Sequence, residues 1–129
     1  MGPKAKILIV DDEETVCAAM RELLELKGYS VIEANNGVTG LKLCADSPVD
    51  LIILDLNMPR MDGYLFMERL MERWENEKRS FKLPQVLVLT AVDRNTDLGL
   101  AKNLGASKFM NKPFKSNEFT SAVKELLGR

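Results

Sequence analysis

The feature that most constrains this chain is a wholly apolar stretch that ends on a single carboxylate. Residues Leu51–Leu54 carry no polar side chain, and Asp55 follows them directly, before Asn57 and Pro59. An apolar run of this length is typical of a strand that is buried on both faces of a parallel sheet. Asn and Pro soon after it indicate a loop. A carboxylate at the end of a buried strand is costly to desolvate, so we expect Asp55 to have a function that uses its charge.

Other apolar runs are similar to this one, and helical patterns separate them. The predicted strands are Lys6–Val10, Tyr29–Ala34, the opening run up to Asp55, Gln85–Leu89 and Ser107–Met110. Apolar residues recur at helical spacing in the sets Val16/Ala19/Met20/Leu23/Leu24, Val38/Leu41/Cys44, Met67/Leu70/Met71/Trp74 and Phe119/Ala122/Val123/Leu126. A weaker helix is predicted over Asp93–Asn103, and Ser116 is the predicted N-cap of the last helix. Alternation of this kind predicts an α/β fold, a doubly wound parallel five-stranded sheet with helices on both faces.

The totals for the chain are those of one ordinary globular domain. Its 129 residues, 46% of them hydrophobic, are enough for a single core, which we expect to extend over about residues 5–128. With 18 Lys and Arg against 19 Asp and Glu, the charge predicts no direct contact with nucleic acid or a membrane surface. No stretch approaches the roughly 20 apolar residues that span a bilayer. The isolated Cys17 and Cys44 are typical of a reducing compartment, so we expect a cytoplasmic location.

Residues that carry a charge or a hydroxyl follow four of the predicted strands. Asp11 and Asp12 follow the first strand, Asp55 ends the third, Thr90 ends the fourth and Lys112 follows the fifth. In a parallel sheet with the flavodoxin-like strand order 2-1-3-4-5, these strands are neighbours, and functional residues collect outside their carboxyl ends. The sequence therefore predicts one site at that edge of the sheet.

The predicted site has the composition that phosphoryl transfer needs. Adjacent carboxylates repel one another, and a divalent cation resolves this repulsion; oxygen ligands with room for water favour Mg2+. Lys112 adds a positive charge, Thr90 a hydroxyl and Asp55 a nucleophile. The absence of histidine excludes Ser-His-Asp and Cys-His catalysis and His-ligated metals. We therefore hypothesise that Asp55 is phosphorylated.

Taken singly, each of these residues also has a purely structural explanation. Asp12 could N-cap the first helix, Thr90 could be a β-branched strand residue, and Lys112 could be an ordinary surface lysine. Asn57 and Asp62 are common turn residues. The coincidence of suitable groups at the ends of four strands favours the functional interpretation.

Short motifs along nearly the whole chain match those of a known family. They are Ile9-Val10-Asp11-Asp12, Leu54-Asp55-Leu56-Asn57-Met58-Pro59 with Asp62-Gly63, Leu89-Thr90-Ala91, Gly105-Ala106 and Lys112-Pro113-Phe114. In this order and spacing, the chain resembles the receiver domain of two-component response regulators, and among them the single-domain chemotaxis regulators. The resemblance implies a signalling domain rather than an enzyme, one that catalyses only its own phosphorylation and autodephosphorylation.

The resemblance also implies a role for each residue of the site. Asp55 accepts the phosphoryl group from a phosphohistidine of a histidine kinase or a histidine phosphotransfer protein. Mg2+ binds directly to Asp12, to Asp55 and to the backbone carbonyl of Asn57, and largely through water to Asp11. The Lys112–Pro113 peptide bond is usually cis in the family, which proline permits at low cost.

The same resemblance implies how phosphorylation changes the surface. Lys112 and Thr90 hold the phosphoryl oxygens, and the movement of Thr90 is accompanied by an inward turn of Phe109. Phe109 stands where Tyr is usual, so it has no hydroxyl to bond at the surface. The last two strand–helix pairs then change their preference for a protein partner.

Asn57 and Val92 are expected to flank the path of the attacking water and so to tune the lifetime of the phosphoryl group.

Alternatives remain for a chain with this pattern. A pseudo-receiver that binds its partner without phosphorylation would have the same fold. A flavodoxin-type cofactor binder would need a Ser/Thr/Gly loop in place of Asp11–Glu14, and a hydrolase of the haloacid dehalogenase type would need Asp in place of Asn57.

We expect a monomer or a weak phosphorylation-dependent dimer, without an output domain in residues 1–129. The segment Trp74–Lys82 is longer than usual for the family, and we expect it not to affect the chemistry.

Overall fold

The computed structural model describes residues 4–91 and 96–128, in which strands and helices alternate. The elements are β1 (Lys6–Val10), α1 (Glu14–Leu26), β2 (Ser30–Ala34), α2 (Gly37–Asp46), β3 (Leu51–Asp55), α3 (Gly63–Asn76), β4 (Gln85–Thr90), α4 (Leu98–Asn103), β5 (Lys108–Asn111) and α5 (Ser116–Leu127). The strands form one parallel sheet in the order β2-β1-β3-β4-β5. The predicted fold class and strand order are therefore confirmed.

The register of the sheet brings the carboxyl ends of its central strands to one level. Val10, the last residue of β1, pairs with Leu54 of β3, so that Asp55 lies one residue beyond the end of β1. At the far side, Thr90 at the end of β4 pairs with Asn111 at the end of β5. The residues that end or follow these four strands consequently share one edge of the sheet.

Two hydrophobic layers cover the sheet, one on each face. The layer with α1 and α5 includes Ile7, Ile9, Met20, Leu24, Leu51, Ile53, Leu87, Leu89, Phe119 and Val123. The layer with α2, α3 and α4 includes Leu8, Val10, Ile52, Leu54, Phe66, Met67, Leu70, Val88 and Ala101. Successive side chains of a strand point to opposite faces. Coverage of both faces is the reason that the central strands are apolar throughout.

The apolar pattern identifies the helices but not all of their buried residues. Val38, which the pattern predicts to face the core from α2, is 63% exposed. A Cβ at Gly40 of the same helix would lie 3.0 Å from Phe66 Cε2 and 3.0 Å from Val10 Cγ2. The helix thus packs through a residue without a side chain, which periodicity of apolar residues does not reveal. Ala19 of α1 is likewise exposed, against the prediction.

Helix α4 begins later than the predicted Asp93–Asn103. It spans Leu98–Asn103, with Asp97 as its N-cap, and the Asp97 Oδ1 atom accepts a hydrogen bond from the Leu100 amide at 2.9 Å. An N-cap acceptor of this kind fixes where a helix starts. Residues 92–95 lie outside the described part of the chain.

Other boundaries differ from the predictions by one residue, within the usual uncertainty of element ends. The differences are Ser30 rather than Tyr29 at the start of β2, Thr90 rather than Leu89 at the end of β4, Lys108–Asn111 rather than Ser107–Met110 for β5, and Lys115 rather than Ser116 as the N-cap of α5. None of the helices in the described residues has the length and apolar content to cross a membrane.

The connection after α3 folds back on Trp74, a residue of the last turn of that helix. The Trp74 Nε1–H donates a hydrogen bond to the Phe81 carbonyl oxygen at 2.8 Å, and the Arg79 guanidinium carbon lies 4.8 Å from the centroid of the Trp74 ring. Lys78 and Arg79 both have a positive φ, 54° and 59°. The connection leads into the amino end of β4, and therefore lies at the edge of the sheet opposite to the predicted site.

Candidate functional site

The predicted site residues differ in burial. Among the described residues, Asp11, Asp55 and Thr90 are the polar or charged residues that are buried, with exposed fractions of 2%, 5% and 0%. The Lys112 side chain is 13% exposed, whereas Asp12 is exposed. All of them end or follow β1, β3, β4 or β5, so the structure brings them together at one edge of the sheet.

Lys112 connects the carboxylates of this edge. Its Nζ lies 2.6 Å from Asp11 Oδ2 and 3.3 Å from Asp55 Oδ2. A further carboxylate oxygen, Glu13 Oε1, lies 3.1 Å from the same Nζ. Glu13 is not among the predicted site residues, although the acidic run after β1 contains it. The run is a signal for the site, but only the course of the chain between β1 and α1 determines which of its side chains reach Lys112.

Burial and pairing act in opposite directions on the charges. Burial raises the pKa of Asp11 above its ordinary value, and the hydrogen bonds from Lys112 and from the Glu13 amide only partly oppose this effect. Burial by itself would lower the pKa of Lys112, but the hydrogen bond to Asp11 and the negative charges of Asp11 and Asp55 raise it above its ordinary value. Lys112 therefore stays protonated at neutral pH and serves as the counter-charge of the acidic edge.

Each carboxylate oxygen of Asp55 accepts a hydrogen bond from a different residue. The backbone N–H of Asn57 donates a hydrogen bond to Asp55 Oδ1 at 3.0 Å, and the Lys112 ammonium donates one to Asp55 Oδ2 at 3.3 Å. The side chain of Asn57 also reaches the next strand, where its Nδ2 lies 3.0 Å from Thr90 Oγ1. Asn57 therefore joins the carboxylate at the end of β3 to the hydroxyl at the end of β4.

The carboxylates of Asp11, Asp12 and Asp55 could share a cation. One oxygen from each lies within 4.8 Å of the others. Neighbouring ligands of an octahedral Mg2+ are about 2.9 Å apart, since each bond is about 2.0–2.1 Å long, so the three carboxylates would have to move closer together, or one of them would have to bind through water. The donor set consists of hard oxygen atoms, which is the chemistry that Mg2+ prefers. Asp12 is free for this purpose because the N-cap of α1 is Glu13.

The remaining predicted residues lie around this centre. Phe109 is half-buried and packs against the hydrophobic layer of α2, α3 and α4. The Lys112–Pro113 peptide bond is cis, as the resemblance implies. Val92, a predicted rate-tuning residue, lies outside the described residues.

Curated relatives match nearly all of the chain. The family model described as the response regulator receiver domain matches residues 7–124. The chain is 39% identical over 124 residues to the alkaline phosphatase synthesis transcriptional regulatory protein PhoP of Bacillus subtilis, covering 96% of this chain and 49% of that protein. It is 35% identical to the transcriptional regulatory protein CpxR of Escherichia coli K12, covering 96% and 50%. The chain thus spans about half the length of the curated relatives it matches.

Solved structures show the same likeness. The chemotaxis protein CheY4 of Vibrio cholerae superposes with a TM-score of 0.82 at 27% identity, over 97% of this chain and all of that one (100%). The signal receiver domain of a signal transduction histidine kinase from Syntrophus aciditrophicus superposes with a TM-score of 0.81 at 32% identity, over 96% and 90%. The sheet order, the family match and these structures agree, and the chain belongs to the response regulator receiver domain family of two-component systems.

Proposed function

We propose that this receiver domain is a phosphorylation-activated switch in which Asp55 accepts a phosphoryl group. The observation that supports this most strongly is the environment of Asp55, a buried carboxylate whose Oδ2 lies 3.3 Å from the Lys112 ammonium. The acidic neighbours Asp11 and Asp12 stand within reach of a shared cation. Phosphoryl transfer is catalysed mainly by positioning and by positive charge at the phosphoryl oxygens, and both are available here.

The proposed donor is a phosphohistidine of a histidine kinase or a histidine phosphotransfer protein. An oxygen of Asp55 attacks phosphorus, so that a P–O bond forms while the P–N bond to the imidazole breaks. The imidazole nitrogen keeps the electron pair and takes up a proton. The backbone N–H of Asn57, which donates a hydrogen bond to Asp55 Oδ1 at 3.0 Å, fixes the direction of the carboxylate before the attack. Hydrolysis of the acyl phosphate by water later returns Asp55 to its free form.

The cation of the proposed site is Mg2+. Asp12, Asp55 and the backbone carbonyl of Asn57 would hold it directly, and Asp11 largely through water. When bound, it supplies positive charge that offsets the repulsion between the carboxylates and the incoming phosphoryl oxygens. The Lys112 ammonium, 2.6 Å from Asp11 Oδ2 and 3.3 Å from Asp55 Oδ2, would bind an oxygen of the phosphoryl group on Asp55.

The proposed response to phosphorylation begins at Thr90. Its hydroxyl is buried at the end of β4 and lies 3.0 Å from the Asn57 side chain. We propose that it binds a phosphoryl oxygen of Asp55 together with Lys112. The shift would pass to Phe109 and to the surface of β4, α4, β5 and α5, and change the affinity of that surface for a protein partner.

Chemical mapping of the phosphorylated residue tests this proposal. The protein is incubated with phosphoramidate and Mg2+, and the acyl phosphate is reduced with borohydride, which converts a phosphoaspartate into homoserine. We expect the peptide that contains Asp55 to carry the modification. Modification of Asp11 or Asp12 instead, with Asp55 intact, would contradict the assignment of the acceptor.

A further inference from the structure

Tyr64 makes a contact that the proposed chemistry does not use. The Asp97 amide donates a hydrogen bond of 2.7 Å to the Tyr64 hydroxyl oxygen. The donor is a backbone N–H, so the tyrosine oxygen can only be the acceptor. Asp97 is also the N-cap of α4, through its Oδ1 and the Leu100 amide. The first turn of α4 is thereby bonded to a side chain from the first turn of α3.

Helix α4 depends on contacts of this kind. It has six residues, and Ala101 is its only buried residue, while Leu98 and Leu100 are 37% and 43% exposed. A helix of this length has little stability of its own, because nucleation is costly and few hydrogen bonds repay it. The position of its first turn must therefore be set by groups outside the helix, and the Tyr64 hydroxyl is such a group.

Gly63, the residue before Tyr64, contacts the backbone of Asp55 and Leu56. The Gly63 amide donates a hydrogen bond to the Leu56 carbonyl oxygen at 3.1 Å. A Cβ at Gly63 would lie 2.8 Å from the carbonyl oxygen of Asp55 and 2.8 Å from the Leu56 Cα. The start of α3 is thus in direct contact with the backbone of Asp55. Because this contact is closely packed, a rearrangement of the Asp55 backbone would also shift Tyr64.

We propose that Tyr64 is a positioning residue that ties α4 to the backbone of Asp55 through its hydroxyl. The inference rests on the proposed function, since phosphorylation of Asp55 is the event that would rearrange this backbone. The connection runs from Asp55 through Gly63 and Tyr64 to Asp97, and it is separate from the route through Thr90 and Phe109. It predicts that the hydroxyl holds α4 in the resting protein and carries part of the change when Asp55 is phosphorylated.

Tyr64→Phe tests the resting contact, because it removes the hydroxyl and keeps the ring. We expect the amides of Asp97 and of Leu98–Asn103 to exchange about two- to tenfold faster in the unphosphorylated variant, the range that loss of one ordinary hydrogen bond gives. Tyr29→Phe is the matched control, since it removes a tyrosine hydroxyl from the layer on the other face of the sheet, and it should leave exchange in α4 unchanged. Equal exchange in α4 for Tyr64→Phe and the wild type would overturn the inference, whether or not Asp55 is phosphorylated.

A second measurement separates coupling from simple support of α4. Wild type and Tyr64→Phe are phosphorylated with phosphoramidate to the same extent by intact mass, and exchange in α4 is compared before and after. We expect a smaller phosphorylation-dependent change in the variant, with an unaltered rate of phosphoryl uptake. A change as large as in the wild type would refute the coupling role. If the wild type takes up no phosphoryl group, the proposed function fails, while exchange in the resting protein still decides whether Tyr64 holds α4.

Discussion

Replacement of Lys112 by Met removes the ammonium and keeps most of the side-chain volume. In the wild type this ammonium lies 2.6 Å from a carboxylate oxygen of Asp11, a residue that is 2% exposed. Breaking a buried ion pair from one side typically costs about 3–5 kcal/mol, because a buried charge is left without a partner. The edge of this site is partly open, so we expect the lower end, a loss of about 3 kcal/mol in the free energy of unfolding.

The assay is urea unfolding, in EDTA and again in excess Mg2+. A loss of about 3 kcal/mol leaves a folded domain, given typical stabilities of about 5–15 kcal/mol. Mg2+ should restore most of the loss, since the cation would replace the ammonium among the same carboxylates and binds only the folded state. Lys112→Met should also bind Mg2+ more tightly than the wild type, because Lys112 no longer competes for Asp11.

The pH dependence of this loss has a definite sign. Without Lys112, the pKa of Asp11 in the folded protein rises further, because burial already raises it and Lys112 was opposing that effect. A raised pKa in the folded state means that the folded variant binds a proton more tightly than the unfolded chain. The difference between Lys112→Met and the wild type should therefore shrink as the pH falls from about 7 toward 5.

Lys108→Met is the matched control. Its Nζ lies 2.6 Å from Glu125 Oε2, but this pair is on the surface, where ion pairs contribute about 0–1 kcal/mol. Lys112→Met and Lys108→Met thus remove the same group from pairs of equal length and unequal burial. Equal losses for the two variants in EDTA, or a loss for Lys112→Met that Mg2+ does not reduce, would refute the reasoning.

Two glycines and the two thiols give further predictions. Gly63→Ala should cost about 1–3 kcal/mol, the usual cost of overpacking, because its Cβ would meet the backbone of Asp55 at 2.8 Å; Gly99→Ala, whose Cβ has only the Asp97 Oδ1 atom within reach, at 3.4 Å, should stabilise α4 by about 0.5–1 kcal/mol. Urea unfolding measures both, and similar costs would contradict the packing argument. Burial raises the pKa of Cys17 to about 12 and of Cys44 to about 11, so iodoacetamide at neutral pH should alkylate the native protein far more slowly than the urea-unfolded chain; equal rates would contradict this.

The fold is predictable from the sequence because periodicity and strand ends carry most of the information. Apolar runs identify the strands, and parallel strands end at one edge of their sheet. These two facts alone predict a single site made by Asp11, Asp55, Thr90 and Lys112. The contact between Glu13 and Lys112 could not be predicted in this way. It depends on the path of the chain from β1 into α1 and on the reach of two long side chains, which residue spacing does not encode.

Errors in the helices have a similar origin. Val38 belongs to an apolar pattern but is exposed, whereas Gly40 of the same helix is buried, because close packing there leaves no room for a side chain. The late start of α4 follows from the capping carboxylate of Asp97 and the bond from its amide to Tyr64. Contacts such as the one between Asp97 and Tyr64 join residues far apart in the chain, and local propensity does not reveal them.

The most direct test of the central claim is the intact mass of the protein after incubation with phosphoramidate, with and without Mg2+. Asp55→Asn is the matched variant, because it keeps the shape of the side chain and removes the nucleophilic carboxylate. The account predicts one added phosphoryl group on the wild type, which requires Mg2+, and none on Asp55→Asn. A phosphoryl group that persists on Asp55→Asn, or a wild type that remains unmodified with Mg2+, would contradict it.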